Sequence, residues 1–361
     1  MSVIVDAHED IASTMLFYGR NYLNSAYDIR RHEAGSDVET VNGMAMLGLP
    51  EWLRGSVGVV FGTLWTIPDR KQTDQLEQPY QTPSEAHMQA MRQIEVYEEL
   101  AARSPHITLI QSRHDLEAVL KTWDNHAPES AATDNRQVGI VYLMEGGDAI
   151  QEPEEVRLWY VRGLRIVGPA WAATRYCGGT SEPGPLTVEG ERLLHEMSKL
   201  GMVLDVSHMA EEAFFQALGG FSGRVIASHA NPRALSENID RHLSDDMLRA
   251  LLGRDAVIGT VLFNKFLLRG WNTGDPKEAA TLDTVVRAID YVCQLAGDAR
   301  HAAIGSDFDG GFGMRSTPKE FDTVADLRLI GEALARRGYT ATDVDLIMGG
   351  NWLRLLRAVL P

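Results

Sequence analysis

Met202-Val203-Leu204-Asp205-Val206 is an almost unbroken apolar run that ends in Ser207-His208, and Val225-Ile226-Ala227 follows and ends in Ser228-His229. A short run that is hydrophobic at nearly every position suits a strand covered on both faces, and such strands belong to parallel sheets. Residues 210–218 lie between the two and carry a helical pattern. Strand, helix and strand in that order make one right-handed crossover unit.

The same unit recurs in both directions. Upstream lie Val3-Ile4-Val5, Val57-Gly58-Val59-Val60-Phe61, Val138-Gly139-Ile140-Val141-Tyr142-Leu143-Met144 and Leu164-Arg165-Ile166-Val167. Downstream lie 256–262 and 302–305, which brings the candidate strands to eight. Helical patterns at 85–103, 189–200, 244–253, 279–297 and 322–338 fill most of the remaining gaps. Eight β–α alternations predict an α/β fold of the (β/α)8 TIM-barrel type, with helices outside and any active site at the C-terminal mouth of the strands. A doubly wound open sheet is the alternative, but no GxGxxG opens a helix after the first strand. The polar stretches 66–84 and 122–137 read as surface excursions, and the Gly- and Pro-rich stretch 177–187 as a rim loop. With no internal repeat or linker, residues 1–361 read as one domain.

Composition narrows the function. The chain has 361 residues with 34 basic and 50 acidic side chains, for a formal net charge of −16. No basic stripe offers a surface to nucleic acid or to an anionic membrane. Two cysteines, Cys177 and Cys293, lie outside any CxxC pattern, which fits a reduced compartment better than a disulfide scaffold. The opening MSVIVDAHED has none of the basic and apolar character of a signal peptide, and no run is long enough for a membrane helix. A cytoplasmic protein is the expectation.

The histidines carry the chemistry. Of the eleven, His32, His87, His106, His114, His126, His195 and His242 fall in helical or polar segments, and His301 precedes the last strand. His8, His208 and His229 each end an apolar strand. Asp10 stands two residues after His8, on the same strand face, so the two side chains can share a cation. Glu145 ends the third strand before Gly146-Gly147, and Asp307 follows the eighth in Gly305-Ser306-Asp307-Phe308-Asp309-Gly310. Imidazoles and carboxylates without thiolate suit hydrolytic metal chemistry, here with two divalent ions and one bridging carboxylate. Asp307, not needed as a ligand, is then free to accept a proton from the attacking water and pass it on.

Taken together, these motifs resemble the renal (membrane) dipeptidase family of amidohydrolase-type metal-dependent hydrolases. The likeness runs from Asp6-Ala7-His8-Glu9-Asp10, through Glu145-Gly146, Asp205-Val206-Ser207-His208, Ser228-His229 and residues 305–310, to Gly349-Gly350-Asn351-Trp352-Leu353-Arg354. It implies two zinc ions, one held by His8, Asp10 and Glu145 and the other by Glu145, His208 and His229, with Glu145 as the bridge. Cobalt and manganese can share such ligands. Asp307 matches the family's acid/base, and Arg241 matches an arginine that holds the substrate carboxylate, a task suited to a guanidinium fork. Trp171 stands where established dipeptidases carry a histidine that contacts the scissile carbonyl, which leaves that contact to the metal or to Arg175.

The resemblance implies hydrolysis of small dipeptides, with tolerance of a D-residue at the C-terminal position, and relatives suggest a homodimer. Two alternatives stand beside it: a zinc hydrolase of an N-acyl amino acid, cyclic amide or lactone, and a metal-binding scaffold without turnover.

Overall fold

The computed structural model describes residues 3–124, 135–236 and 239–361. His126 and most of the polar stretch 122–137 lie outside the described residues. Among the described residues eleven strands form: β1 (Ile4–Glu9), β2 (Val57–Trp65), β3 (Ile107–Leu109), β4 (Val138–Glu145), β5 (Ile166–Gly168), β6 (Cys177–Gly179), β7 (Glu182–Leu186), β8 (Val203–Asp205), β9 (Val225–Ala227), β10 (Val257–Thr260) and β11 (Ala302–Ile304). A nine-stranded sheet runs β2-β1-β11-β10-β9-β8-β5-β4-β3, and a further β2–β4 pairing closes it on itself. All of its pairings are parallel. The eight expected strands are the eight that close, so the fold is the (β/α)8 barrel.

Two departures from the expected pattern follow from local pairing. β3 was not anticipated; it pairs with Val138, Gly139 and Ile140 at the start of β4, while β5 pairs with Leu143, Met144 and Glu145 at its end. The stretch read as a rim loop at 177–187 is an antiparallel hairpin of β6 and β7. Several helices also lie outside the expected set, among them Ala26–Glu33, Leu49–Gly55 and Arg113–Lys121. The helix expected at 85–103 starts earlier, at Pro83, where Thr82 and Glu85 form a capping box and proline occupies the first turn.

The apolar interior divides into two layers. Val5, Ala7, Val59, Phe61, Val141 and Leu143 fill the inside of the barrel with partners from the other strands. Trp352, Leu355 and Leu356 of the final helix plug that interior from below. The Trp352 indole donates to the Ile304 carbonyl at 2.9 Å, and the Asn351 amide donates to the carbonyls of Ala299 and Ala302. A Cβ at Gly349 would meet the Val3 carbonyl oxygen at 2.4 Å, so the Gly-Gly-Asn-Trp segment seats the plug against β1. Outside the barrel, the second apolar layer packs the surrounding helices onto the strands. No helix among the described residues is long and apolar enough to cross a membrane.

Candidate active site

β1 carries one extra residue against β2 between Asp6 and Glu9. Such a bulge resets the alternation of side chains. Val5 and Ala7 therefore face the barrel interior below it, and His8 and Asp10 point to the centre of the mouth above it. Glu145 extends the inward series of Val141 and Leu143 by one more step along β4. His208 and Asp307 follow their strands in left-handed backbone, at φ 67° and 63°, a conformation that non-glycine residues adopt mainly where the surroundings enforce it.

These residues converge. Glu145 Oε1 lies 3.0 Å from His208 Nε2 and 3.2 Å from His229 Nε2, and its Oε2 lies 3.6 Å from His8 Nε2. The Nε2 atoms of His208 and His229 are 2.9 Å apart. His8 Nε2 is also 3.7 Å from Asp10 Oδ2 and 3.9 Å from Asp307 Oδ1. Two sets of three, His8–Glu145–His229 and His8–Asp10–Asp307, have ligand atoms all within 4.8 Å of one another. The first set takes in His229 and the second takes in Asp307, so His8 stands between two candidate cation positions.

A supporting layer fixes the rings. Asp205 Oδ1 accepts the backbone N–H groups of Ser207 and Ser228, and its Oδ2 accepts the Ser228 hydroxyl at 2.5 Å. With its proton committed to Asp205, the Ser228 oxygen can accept from His229 Nδ1 at 2.8 Å, which turns the Nε2 lone pair toward Glu145. Thr180 Oγ1 plays the same part for His208 Nδ1 at 2.9 Å. Thr63 donates to Asp10 Oδ1 at 2.6 Å, leaving Oδ2 toward the centre. His8 Nε2 is buried and has no hydrogen-bond partner. An unpartnered imidazole nitrogen facing three carboxylates is the environment a cation would complete.

Electrostatics agree with the geometry. Burial and the nearby Arg241 guanidinium push His208 down to about 4, and burial with His8 and Arg241 holds His229 well below its usual range, so both rings are neutral, as ligands must be. Burial opposes charge on His8 too, but Glu145, Asp10 and Asp307 outweigh it and raise the ring to about 10, so a cation bound among these carboxylates would displace the His8 proton. Despite burial, His8 and His208 keep the Glu145 carboxylate well below the ordinary range. At Asp307 burial dominates, opposed by His8, while Asp10 and Glu145 push the same way as burial; the carboxyl is held well above the normal value.

Comparison with known proteins identifies the family. The family model of membrane dipeptidases, peptidase family M19, matches residues 1–360. The chain belongs to the membrane dipeptidase family. This metallopeptidase-type hydrolase of peptide bonds is 32% identical over 236 residues to an uncharacterised protein of the pqqA 5′ region of Klebsiella pneumoniae, covering 63% of this chain and 84% of that one. It is 27% identical over 363 residues to an uncharacterised dipeptidase of Schizosaccharomyces pombe, covering 98% and 79%. Among solved structures, a metallopeptidase from Rhodobacter sphaeroides liganded with a phosphinate mimic of L-Ala-D-Ala superposes with a TM-score of 0.77, at 21% identity over 99% of both chains.

In this dipeptidase-family chain the substrate residues expected from sequence lie at the same mouth. A cavity of about 300 Å3, at the small end of the range for ligand sites, is lined by Asp10, Glu145, His208 and Asp307 together with Arg241 and Trp171. Arg241 is buried, and its Nε, Nη1 and Nη2 all lack hydrogen-bond partners among the described residues. Its guanidinium lies 5.0 Å from the centre of the Phe266 ring. Arg175 is a correction: its guanidinium donates to the Ile150 and Gln151 carbonyls and to Tyr176, and it does not line the cavity. Backbone carbonyls satisfy it locally, so it offers nothing to a scissile carbonyl.

Sequence reasoning missed several contributors, Phe263 and Phe266 of the cavity lining among them. Phe17 and Trp65 line the cavity, with Trp65 edge-on to Trp171 at 5.2 Å and Phe17 edge-on to Trp65 at 6.1 Å. Thr180 comes from the hairpin read as a loop. Trp65 ends β2 and pairs in register with Glu145 of β4; its place at the end of an apolar run was the one signal the sequence offered.

Proposed function

We propose that the chain is a binuclear zinc dipeptidase, with Glu145 bridging two ions held by His8 and Asp10 on one side and His208 and His229 on the other. One observation carries this reading: the two oxygens of a single carboxylate face different histidines, Oε1 toward His208 and His229 and Oε2 toward His8. When bound, such ions supply Lewis acidity that polarises a carbonyl and makes water a nucleophile near neutral pH. The protein's own residues would do the rest. Arg241 would receive the C-terminal carboxylate in a site where it has no competing partner. Asp307 would take the proton of the attacking water and deliver it to the departing amine.

The substrate class is a small dipeptide, with a D-residue tolerated at the C-terminal position. The ligand of the Rhodobacter sphaeroides structure, a mimic of L-Ala-D-Ala, supports that choice. The test is metal analysis together with a dipeptide panel that includes L-Ala-D-Ala. Near two zinc ions per chain with turnover is the expected result; less than one ion and no turnover defeats the reading.

A second reading draws on Trp171 and on the turned-away Arg175, which leave the scissile carbonyl without the family's histidine. It keeps the metals and Arg241 and replaces the dipeptide with an N-acyl amino acid. Hydrolysis of N-acetyl amino acids by a zinc-loaded enzyme inert to every dipeptide would establish it.

A further inference from the structure

The cavity has two aromatic ends. Phe263 and Phe266 stand at the Arg241 end, ring to ring at 4.9 Å. Trp65, Trp171 and Phe17 form the other group, each successive pair edge to face. Ile67 and Ala172 complete its apolar lining. Among the described residues, no ring of one group is in contact with a ring of the other.

Charge decides which end of a substrate meets which group. Two cations line the cavity, Lys71 and Arg241. Lys71 is occupied by the Ser181 hydroxyl at 2.9 Å and the Glu182 carboxylate at 3.2 Å. Among the described residues, Arg241 alone of the two has no hydrogen-bonded partner, so the substrate carboxylate goes there. The scissile bond then lies over Glu145, His208 and Asp307, and the C-terminal side chain lies near Phe263 and Phe266. The side chain on the other side of the scissile bond is the one that reaches the indoles. Trp171 sits 6.5 Å from the His208 ring, tilted against it by 39°, which places this group beside the histidine end of the site.

We propose that Trp65, Trp171 and Phe17 form the specificity pocket for the residue N-terminal to the scissile bond, and that it selects an aromatic or large aliphatic side chain. This rests on the dipeptidase reading above. Edge-to-face rings offer both apolar area and oriented contacts to a guest ring, whereas a small or acidic guest forfeits the area or is desolvated without a partner. A pocket of this kind discriminates by tenfold or more between a large apolar guest and none.

The experiment uses the zinc-loaded full chain and four dipeptides that differ only in the first residue: Phe-Ala, Leu-Ala, Gly-Ala and Asp-Ala. The expected result is kcat/KM at least tenfold higher for Phe-Ala and Leu-Ala than for the other two. In Trp171→Ala and Phe17→Ala the Phe-Ala to Gly-Ala ratio falls toward one, mainly through KM, and Trp171→Phe keeps most of it. Equal turnover of Gly-Ala and Phe-Ala by the wild type, preference for Asp-Ala, or a ratio unmoved by these variants overturns the inference alone. Failure to cleave any of the four or L-Ala-D-Ala overturns the dipeptidase reading and the inference together.

Discussion

Asp205 holds Ser228 twice, accepting its backbone N–H on Oδ1 at 2.9 Å and its hydroxyl on Oδ2 at 2.5 Å. The pair joins the ends of β8 and β9, and the Ser228 oxygen orients the ring of His229. Partners that orient a ligand ring commonly govern about 10- to 100-fold in metal affinity. Asp205→Ala should therefore weaken zinc binding by about that factor, as read by competition with a chelating dye. Asp205→Asn keeps an acceptor at Oδ1 and should lose less.

Gly310 passes directly over two carboxylates. A Cβ there would meet Asp307 Oδ1 at 2.2 Å and Asp10 Oδ2 at 2.6 Å, so no side chain fits without moving one of them. Gly310→Ala should fold with little change in melting temperature and lose on the order of 100-fold in kcat/KM, because displacements of about 1 Å at a reacting centre have that effect.

Among the described residues, Arg241 is a buried cation without a hydrogen-bonded partner. Burial acts against its charge, with Asp307, Glu145 and Asp205 opposing. Loading the centre with zinc adds positive charge nearby and weakens that compensation. In the zinc-loaded protein without substrate, Arg241→Met should raise the melting temperature, equivalent to about 1 kcal/mol or more, since replacing buried charge with apolar volume is often stabilising. The same variant should raise KM for a dipeptide with a free carboxylate far more than for its C-terminal amide. Thermal melts and paired kinetics check both signs.

Asp307→Asn keeps the shape of the side chain and removes its proton chemistry. If Asp307 shuttles the proton, kcat should fall by about 10²- to 10⁴-fold with KM and zinc content little changed. Retained metal with lost turnover separates an enzyme from a scaffold, in which neither form would hydrolyse anything.

The barrel was legible because each of its strands is apolar at nearly every position, and the candidate ligands were legible because they stand where those runs end. His8, Glu145, His208 and His229 were found that way, and all four come together. What stayed hidden depends on contacts between segments far apart in the chain. β3 is only Ile107–Leu109, too short to show a period, and forms because the start of β4 has a free edge. β6 and β7 contain Gly and Pro, which read as a turn, yet they pair as a hairpin and present Thr180 to His208. Arg175 looked available because nothing local in the sequence marks the carbonyls of Ile150 and Gln151 as its partners. Trp65, which packs against Phe17, meets Trp171 only through the closure of the barrel.

The central claim is that Glu145 joins two cations. Crystals of the zinc-reconstituted protein, measured at energies on either side of the zinc absorption edge, test it most directly. Two anomalous peaks of comparable height about 3.5–4 Å apart, one beside each Glu145 oxygen, are predicted. A single peak, or none near Glu145, would contradict it.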